Sequence, residues 1–306
     1  MRVLIAGASG FLGAAFADRL RAGGHGVVRL VRRPATAPDE VSWQPATGEL
    51  DPAAVADVDA VVNLAGSPIS TSIGRLRLPI RPWTAGYRKQ FHSSRVDTTA
   101  TLARAIAAAA RKPSVFLAGS AVGWYGDTGD TAVDEQAPAG HGFFPDTCRV
   151  WEAATGPAER AGVRVVRLRT GFPLHRAGGL LGPQLLPYRL GLGGPLGSGR
   201  QWLPWISLTD WLAAASFLLE RDDIAGPVNM VGPAPVRNAE FAKTLGSLLH
   251  RPAVIPLPGA VLKLALGEFG RDALASHRVL PGVLTNAGFR FSHPDLRSAL
   301  AAALAS

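Results

Sequence analysis

The chain has 306 residues, 47% hydrophobic and 18% charged, a composition that can bury a large core and excludes intrinsic disorder. Its 32 Lys and Arg against 23 Asp and Glu give a net charge of +9, but the arginines are spread along the chain without a groove-reading helix or an aromatic RNA-binding motif, so the charge is read as favouring anionic small molecules, with no nucleic acid partner expected. The single cysteine, Cys148, excludes an intrachain disulfide and a cysteine-cluster metal site, and no apolar run approaches the ~20 residues of a membrane span, so a soluble, cytoplasmic protein with no membrane partner is expected.

The first half alternates strand-like and helix-like segments. Arg2–Ala6 is a short apolar run and predicts a buried strand; it enters a glycine loop at once, which a signal peptide would not. Phe11–Arg21 has helical spacing and stops at Gly23-Gly24. Gly26–Arg33 predicts a second strand and Val41–Trp43 a short third. Asp51–Ala56 is a brief helix entered through Asp51-Pro52. Asp59–Ala65 is a strand, Gly86–Arg111 a long helix, Ser114–Gly119 a strand, Thr147–Ala161 a helix and Val163–Thr170 a strand. Such alternation implies right-handed crossovers, and strands apolar throughout imply helices on both faces. The fold class is therefore α/β: a Rossmann-like doubly wound parallel sheet.

After Gly171 the texture changes. Leu180–Arg200, rich in Gly, Leu and Pro, predicts loops with a short helix. Leu208–Leu219 is a helix, Pro227–Gly232 a strand, Asn238–His250 a helix capped by Asn238, and Ala253–Leu257 a short strand. Pro258–Gly267 and Asp295–Ala305 complete a small mixed, mostly helical C-terminal lobe. The expected organisation is a dinucleotide-binding domain over 1–170 with returning segments from 171–250, and a C-terminal domain over 251–298 that completes a substrate lobe.

The segment Gly7-Ala8-Ser9-Gly10-Phe11-Leu12-Gly13 follows a strand and opens a helix. Gly7 permits a sharp turn, Gly10 lets backbone approach a pyrophosphate, and Gly13 lets the helix pack on the sheet. The pyrophosphate then meets free N–H groups and the positive helix end, which makes Gly7, Ser9, Gly10, Phe11, Leu12 and Gly13 candidate cofactor residues. The second strand ends in Arg32-Arg33, where an NAD site carries an acid for the ribose 2′-OH; arginine suits a 2′-phosphate, so NADP (NADPH) is favoured over NAD. Asn63-Leu64-Ala65-Gly66 ends the next long strand with small residues that let backbone line the cofactor.

These segments, with Ser120-Ala121-Val122-Gly123-Trp124-Tyr125-Gly126, resemble extended short-chain dehydrogenase/reductases. Ser94–Thr99, Arg189–Gly199, Trp205-Ile206 with Asp210, and Asn238–Ala242 narrow the resemblance to atypical members: NAD-dependent epimerase/dehydratase-like "epimerase family" proteins of the SDR39U type, which end in a C-terminal domain of unknown function. The resemblance spans nearly the whole chain. It implies NADP contacts at Arg32, Arg33, Leu64 and Ala65, near Gln90, at Arg95 and at the strand end at Arg169, beside the Gly66 already read as lining the cofactor. Two departures stand out: Tyr87 replaces a usually charged residue, and Ser70–Arg81 is unusually basic.

Ordinary members of the superfamily use a Ser, a Tyr and a Lys, the Tyr and Lys four apart on a helix so that both face the cofactor. Ser120 occupies the expected strand end, but no Tyr-x-x-x-Lys exists in the chain; Cys148 and Glu152 stand at those positions. Three replacements are open: Tyr125 as an acid, Cys148 as a thiol acid, and Glu152 as a base or ribose contact. Asp127, Asp130, Asp134 and Glu135 are read as capping and solvating the loop after Ser120. The histidines are scattered without metal spacing, and no metal is expected. Trp202 and Trp205 flank a candidate substrate mouth, where Arg200 and Gln201 could reach a phosphate.

Two functions follow as expectations. One is an NADP(H)-binding oxidoreductase or epimerase-like protein acting on a small substrate, a nucleotide sugar or another carbonyl compound. The alternative is a catalytically silent NADP(H)-binding sensor or interaction module. A homodimer through the helices holding Ser94–Ala108 and Thr147–Ala161 is compatible with their apolar character.

Overall fold

The computed structural model of the protein describes residues 1–68, 71–73, 76–78, 83–266, 270, 272 and 274–305. In β1 (Arg2–Ala6), Val3 and Ile5 face one side and Leu4 and Ala6 the other, and all four are fully buried. A strand of this kind needs cover on both faces, and the chain supplies it in alternation. In order follow α1 (Phe11–Ala22), β2 (Gly26–Val31), β3 (Glu40–Ser42), α2 (Pro52–Ala56), β4 (Ala60–Asn63), the antiparallel hairpin of β5 (Thr71–Ile73) and β6 (Leu76–Leu78), and α3 (Ala85–Ala108). Then come β7 (Val115–Ala121), α4 (Phe143–Ala153), α5 (Gly156–Arg160) and β8 (Arg164–Thr170). The remainder of 70–81 outside that hairpin, where an unusual basic segment was noted, lies outside the described residues.

The second half supplies β9 (Phe172–His175), β10 (Gly178–Gly179), α6 (Leu185–Arg189), β11 (Trp202–Leu203), β12 (Trp205–Ser207), α7 (Leu208–Glu220), β13 (Gly226–Met230), β14 (Val236–Arg237), α8 (Asn238–Leu249), α9 (Gly259–Leu266), α10 (Gly282–Asn286) and α11 (Leu296–Ala305). Seven strands form one parallel sheet in the order β13-β8-β7-β4-β1-β2-β3. The chain runs outward from β1 to β3 and then returns to β4 on the other side of β1. The crevice at that reversal, beyond the carboxyl ends of β1 and β4, is where this class of sheet binds ligands.

Two cores sandwich the sheet. One joins Val3, Ile5 and Val62 to Phe16 and Leu20 of α1 and Trp211 and Leu218 of α7. The other joins Leu4, Val61 and Phe116 to Val55 and to Leu102 and Ile106 of α3. A third core holds the lobe, with Leu174, Trp205, Phe241, Leu245 and Leu300. There β9 pairs with β10 and β12, and β11 with β14.

Several boundaries differ from the sequence reading for local reasons. The helix expected over Thr147–Ala161 begins earlier, at Phe143, because Pro145 falls in the first turn, where a missing N–H costs nothing. It then breaks at Ala154-Thr155, since Pro157 cannot continue it, and α5 starts afresh. The cap of α8 is Arg237 rather than Asn238, whose buried side chain instead accepts from Leu196 N at 2.7 Å. Ala253–Leu257 forms no strand; only Leu257 bridges, to Leu196. The expected entry at Asp51 holds: its carboxylate accepts from Ala53 N at 2.9 Å.

Trp211 is fully buried, meets the Phe16 ring edge-on at 6.1 Å between centroids and donates to Thr170 Oγ1 at 3.2 Å. Trp211→Ala is therefore expected to lower the unfolding free energy by about 3–5 kcal/mol with an unchanged denaturant slope. A loss below about 1 kcal/mol in urea unfolding would mean that this core is not the one that closes the sheet on α1 and α7.

Candidate cofactor and active site

β1 turns into α1 through a loop that tolerates no side chain at two points. Gly7 has φ +83°, and a Cβ there would stand 2.7 Å from the Leu64 carbonyl and from Ala65 N. A Cβ on Gly13 would stand 2.1 Å from the Gly7 carbonyl oxygen. Gly10 N donates to that oxygen at 2.9 Å, and α1 opens at Gly10 with no side-chain cap. The first-turn N–H groups are thus presented at a positive helix end, a cradle that fits a dinucleotide pyrophosphate. Ser9 and Gly10 are exposed at its rim and Leu12 is half-buried beneath it. Phe11 closes the cradle toward the lobe, its ring against Gly178, where a Cβ would meet it at 2.6 Å.

The two arginines at the end of β2 are not equivalent. Arg33 is bound at both guanidinium nitrogens by Glu40 of β3, at 2.8 and 2.7 Å, and also donates to Pro34 O. Glu40 is buried, also pairs with Arg29 at 3.2 Å and accepts from Thr36 N; the Arg33 bonds, then the Thr36 bond, pull its pKa down to about 2. Arg32 is exposed, and among the described residues its guanidinium has no hydrogen-bond or salt-bridge partner. A recess of ≈ 410 Å³ lies beside this pair, lined by Arg33, Ser42, Trp43, Gln44 and Glu49.

At the end of β4, the buried Asn63 side chain accepts from Ala65 N at 3.1 Å and donates to Thr99 Oγ1 at 2.9 Å, which fixes the Leu64-Ala65-Gly66 turn. Gly66 faces Arg95 of α3; a Cβ would stand 3.3 Å from the guanidinium carbon. Arg95 lies 3.5 Å over the Phe91 ring and donates to Ser67 O, and burial pulls its pKa down to about 10. Gln90, on the same helix, is exposed.

Past β7 the chain builds a buried polar chain. Ser120 Oγ donates to Glu152 Oε1 at 2.6 Å. Arg169 of β8 holds the same carboxylate through Nε at 2.8 Å and Nη2 at 3.0 Å. Its remaining nitrogen donates to Tyr125 Oη at 3.0 Å, and Tyr125 donates on to Asn229 Oδ1 at 2.7 Å. Asn229 N donates to Glu135 Oε1 at 2.9 Å, and Val283 N to the other Glu135 oxygen at 3.2 Å. Burial opposes the Arg169 charge, yet its bonds to Glu152 outweigh this and raise its pKa above the ordinary arginine value. Burial drives the Glu135 pKa up.

This arrangement separates the three replacements that the sequence left open. Tyr125 is buried, its hydroxyl is used at both ends, and burial pushes its pKa to about 12. Cys148 is buried beside Ala121 O, and burial, reinforced by the Glu152 charge, pushes its thiol to about 12. Neither is placed to give up a proton near neutrality. Glu152 is the member that touches Ser120. Glu135, read as a solvating loop carboxylate, is instead a buried tie between β13 and α10. Asp127 and Asp134 do cap turns, at Gly129 N and Gln136 N. Trp205 is core, and the buried Gln201 bonds Leu196 O, so neither faces a substrate mouth. Trp202 is half-buried, with the guanidiniums of Arg237 and Arg278 4.3 and 4.6 Å from its ring centroid. The sequence reading missed Glu40 and Asn229. Glu40 had a signal, an acid in a short strand seven residues after Arg33; Asn229 had none.

Known proteins resemble the chain over nearly its whole length. Residues 3–144 match the NAD dependent epimerase/dehydratase family, and residues 257–303 match a domain of unknown function. An epimerase family protein of Mycobacterium bovis is 42% identical over 299 residues, covering 97% of this chain and 96% of its own length. The chain belongs to the epimerase family. The human epimerase family protein SDR39U1 is 38% identical, with 98% of each chain covered. The crystal structure of its isoform 2 with NADPH superimposes with a TM-score of 0.88 over 99% of this chain and 98% of that one, at 37% identity. A nucleoside-diphosphate sugar epimerase from Corynebacterium glutamicum gives a TM-score of 0.78 at 31% identity, over 99% of this chain and 58% of that one. An NAD(P)-binding, Rossmann-type architecture is thus shared across the family, and among the described residues no helix is long and apolar enough to cross a membrane.

Glu40 yields a pH test. Its folded pKa lies below the ordinary carboxylate value, so its contribution to stability is complete above about 4.5 and is lost as the pH falls toward about 2. Glu40→Gln should be less stable than the parent at neutral pH, and the difference should shrink across that window. A difference independent of pH down to about 2 would overturn the ion-pair origin of the effect.

Proposed function

We propose that the protein is an NADP(H)-dependent oxidoreductase of epimerase type, acting on a small substrate with a hydroxyl or carbonyl carbon, and that Ser120 and Glu152 handle its proton. The observation that carries this reading is the 2.6 Å bond from Ser120 Oγ to Glu152 at the carboxyl end of β7, two strands from the glycine cradle. The NADPH in the human relative's structure supports the cofactor class.

The bound nicotinamide supplies the hydride acceptor or donor. What the chain adds can be derived from its own groups. Gly7, Gly10 and Gly13 would admit the pyrophosphate, Arg32 would take the 2′-phosphate, and Arg33, held by Glu40, would offer its guanidinium to the adenine. Leu64, Ala65 and Gly66 would line the ribose side, with Arg95 against Gly66. For the proton, a substrate hydroxyl that donates to Ser120 Oγ lets the Ser120 proton pass to the Glu152 carboxylate; the reverse route returns it to a carbonyl oxygen. Arg169 pins that carboxylate by two bonds and keeps it aimed at Ser120, as a positioning residue.

A second reading rests on the missing Tyr-x-x-x-Lys. On it the protein binds NADP(H) without turnover and reports redox state to a partner. A small-molecule substrate distinguishes the two.

Calorimetric titration with NADPH and NADH tests the cofactor assignment: NADPH should bind at least about tenfold more tightly, and Arg32→Asp should erase the difference while leaving NADH binding nearly unchanged. Equal affinities in the parent protein would sink the 2′-phosphate assignment. With NADPH and a panel of small carbonyl compounds, Glu152→Gln should cut turnover at least about a hundredfold with NADPH affinity retained. Undiminished turnover in that variant would rule out Glu152, and tight NADPH binding without turnover of any compound would favour the sensor reading.

A further inference from the structure

We infer that one face of the C-terminal lobe docks on an anionic lipid bilayer surface. It is built from α6, the loop that follows it, and the segment from Arg251 into α9. The two stretches run side by side: Ile255 N donates to Gly193 O at 3.1 Å, Leu257 N to Pro195 O at 3.0 Å, and Arg251 Nε to Arg189 O at 2.9 Å. Together they leave large apolar side chains in water. Leu190 is 65% exposed, Leu192 59%, Val254 76% and Leu264 90%, with Leu186 and Ile255 about half exposed. Scattered exposed leucines are ordinary, whereas a cluster drawn from adjoining segments marks a surface that something covers.

Charge identifies the occupant. From Arg160 to Thr209 and from Phe241 to Gly267 the chain has no Asp or Glu, and these stretches contain the whole face. Arg189 and Arg251 are exposed within it. The nearest acid on α8, Glu240, is at the start of that helix, whereas Arg251 follows its end. An apolar centre flanked by Arg189 and Arg251, in stretches without acid, has the polarity of interfacial membrane anchors, where acyl boundary takes the apolar side chains and anionic headgroups take the arginines. A second copy fits less well: a two-fold contact would set Arg189 and Arg251 against themselves with no acid to answer them.

The test uses the full chain and sedimentation with two kinds of vesicle, pure phosphatidylcholine and phosphatidylcholine mixed with phosphatidylglycerol. At low salt the protein should partition onto the anionic vesicles at least about tenfold more strongly than onto the neutral ones, and high salt should release it. Replacing Leu190, Leu192 and Leu264 together with serine, or Arg189 and Arg251 together with glutamate, should each abolish this partitioning. These side chains are exposed, so NADPH affinity and thermal unfolding serve as controls and should not move. No partitioning onto anionic vesicles at low salt would overturn the inference, as would equal partitioning onto both kinds or full binding by the variants. A serine-sensitive dimer in light scattering, without vesicle binding, would overturn it in favour of a second copy.

Discussion

The site is organised around one buried ion pair, Arg169 with Glu152. Two charges out of water are tolerable only with good geometry and every remaining donor satisfied. Here both conditions hold: Arg169 spends two nitrogens on Glu152 and the third on Tyr125, and Ser120 completes the carboxylate. The pair ties β7, β8 and α4 together at the carboxyl end of the sheet, and through Tyr125, Asn229 and Glu135 it reaches β13 and α10. A buried carboxylate on α4 is thus balanced by a cation from the neighbouring strand β8. The same desolvation that makes the pair exacting also raises the pKa of its neighbours, with Cys148 and Tyr125 both pushed to about 12.

At the other end of the crevice the same economy of charge appears in solvent-facing form. Two adjacent arginines at a strand end look interchangeable, but Glu40 reaches only one. Arg33 is held at both terminal nitrogens, whereas Arg32 is exposed and has no hydrogen-bond or salt-bridge partner among the described residues. An acid near the end of β2 would ordinarily suggest a ribose 2′-OH ligand. In this chain the acid is one strand further out, and its role is to orient a cation.

The lobe obeys a different constraint. Its core is shared among short segments, and Phe11 packs on Gly178, so the cofactor loop and the lobe meet through contact rather than a linker. The segments that complete this core turn outward between α6 and α9 and leave leucines uncovered. The expectation of no membrane partner rested on the lack of a long apolar run. Two short stretches brought together in space make an apolar face that no run of sequence displays.

Period and turn chemistry determined the sheet, the glycine cradle and the family, because these depend on near neighbours in the chain: apolar runs for β1 and β4, Gly7 and Gly13 where a Cβ has no room, and Asp51-Pro52 for a helix start. They also brought Ser120, Glu152, Arg169 and Arg32 forward as candidates. Only tertiary structure could rank them, since Ser120 and Glu152 are 32 residues apart and Tyr125 and Asn229 are 104 apart. A proton's availability depends on burial and on which partner fills each lone pair, and neither is written in local spacing. The same holds for Arg32 against Arg33, decided by a carboxylate on a neighbouring strand, and for the lobe's outer face, decided by which side chains the core left behind.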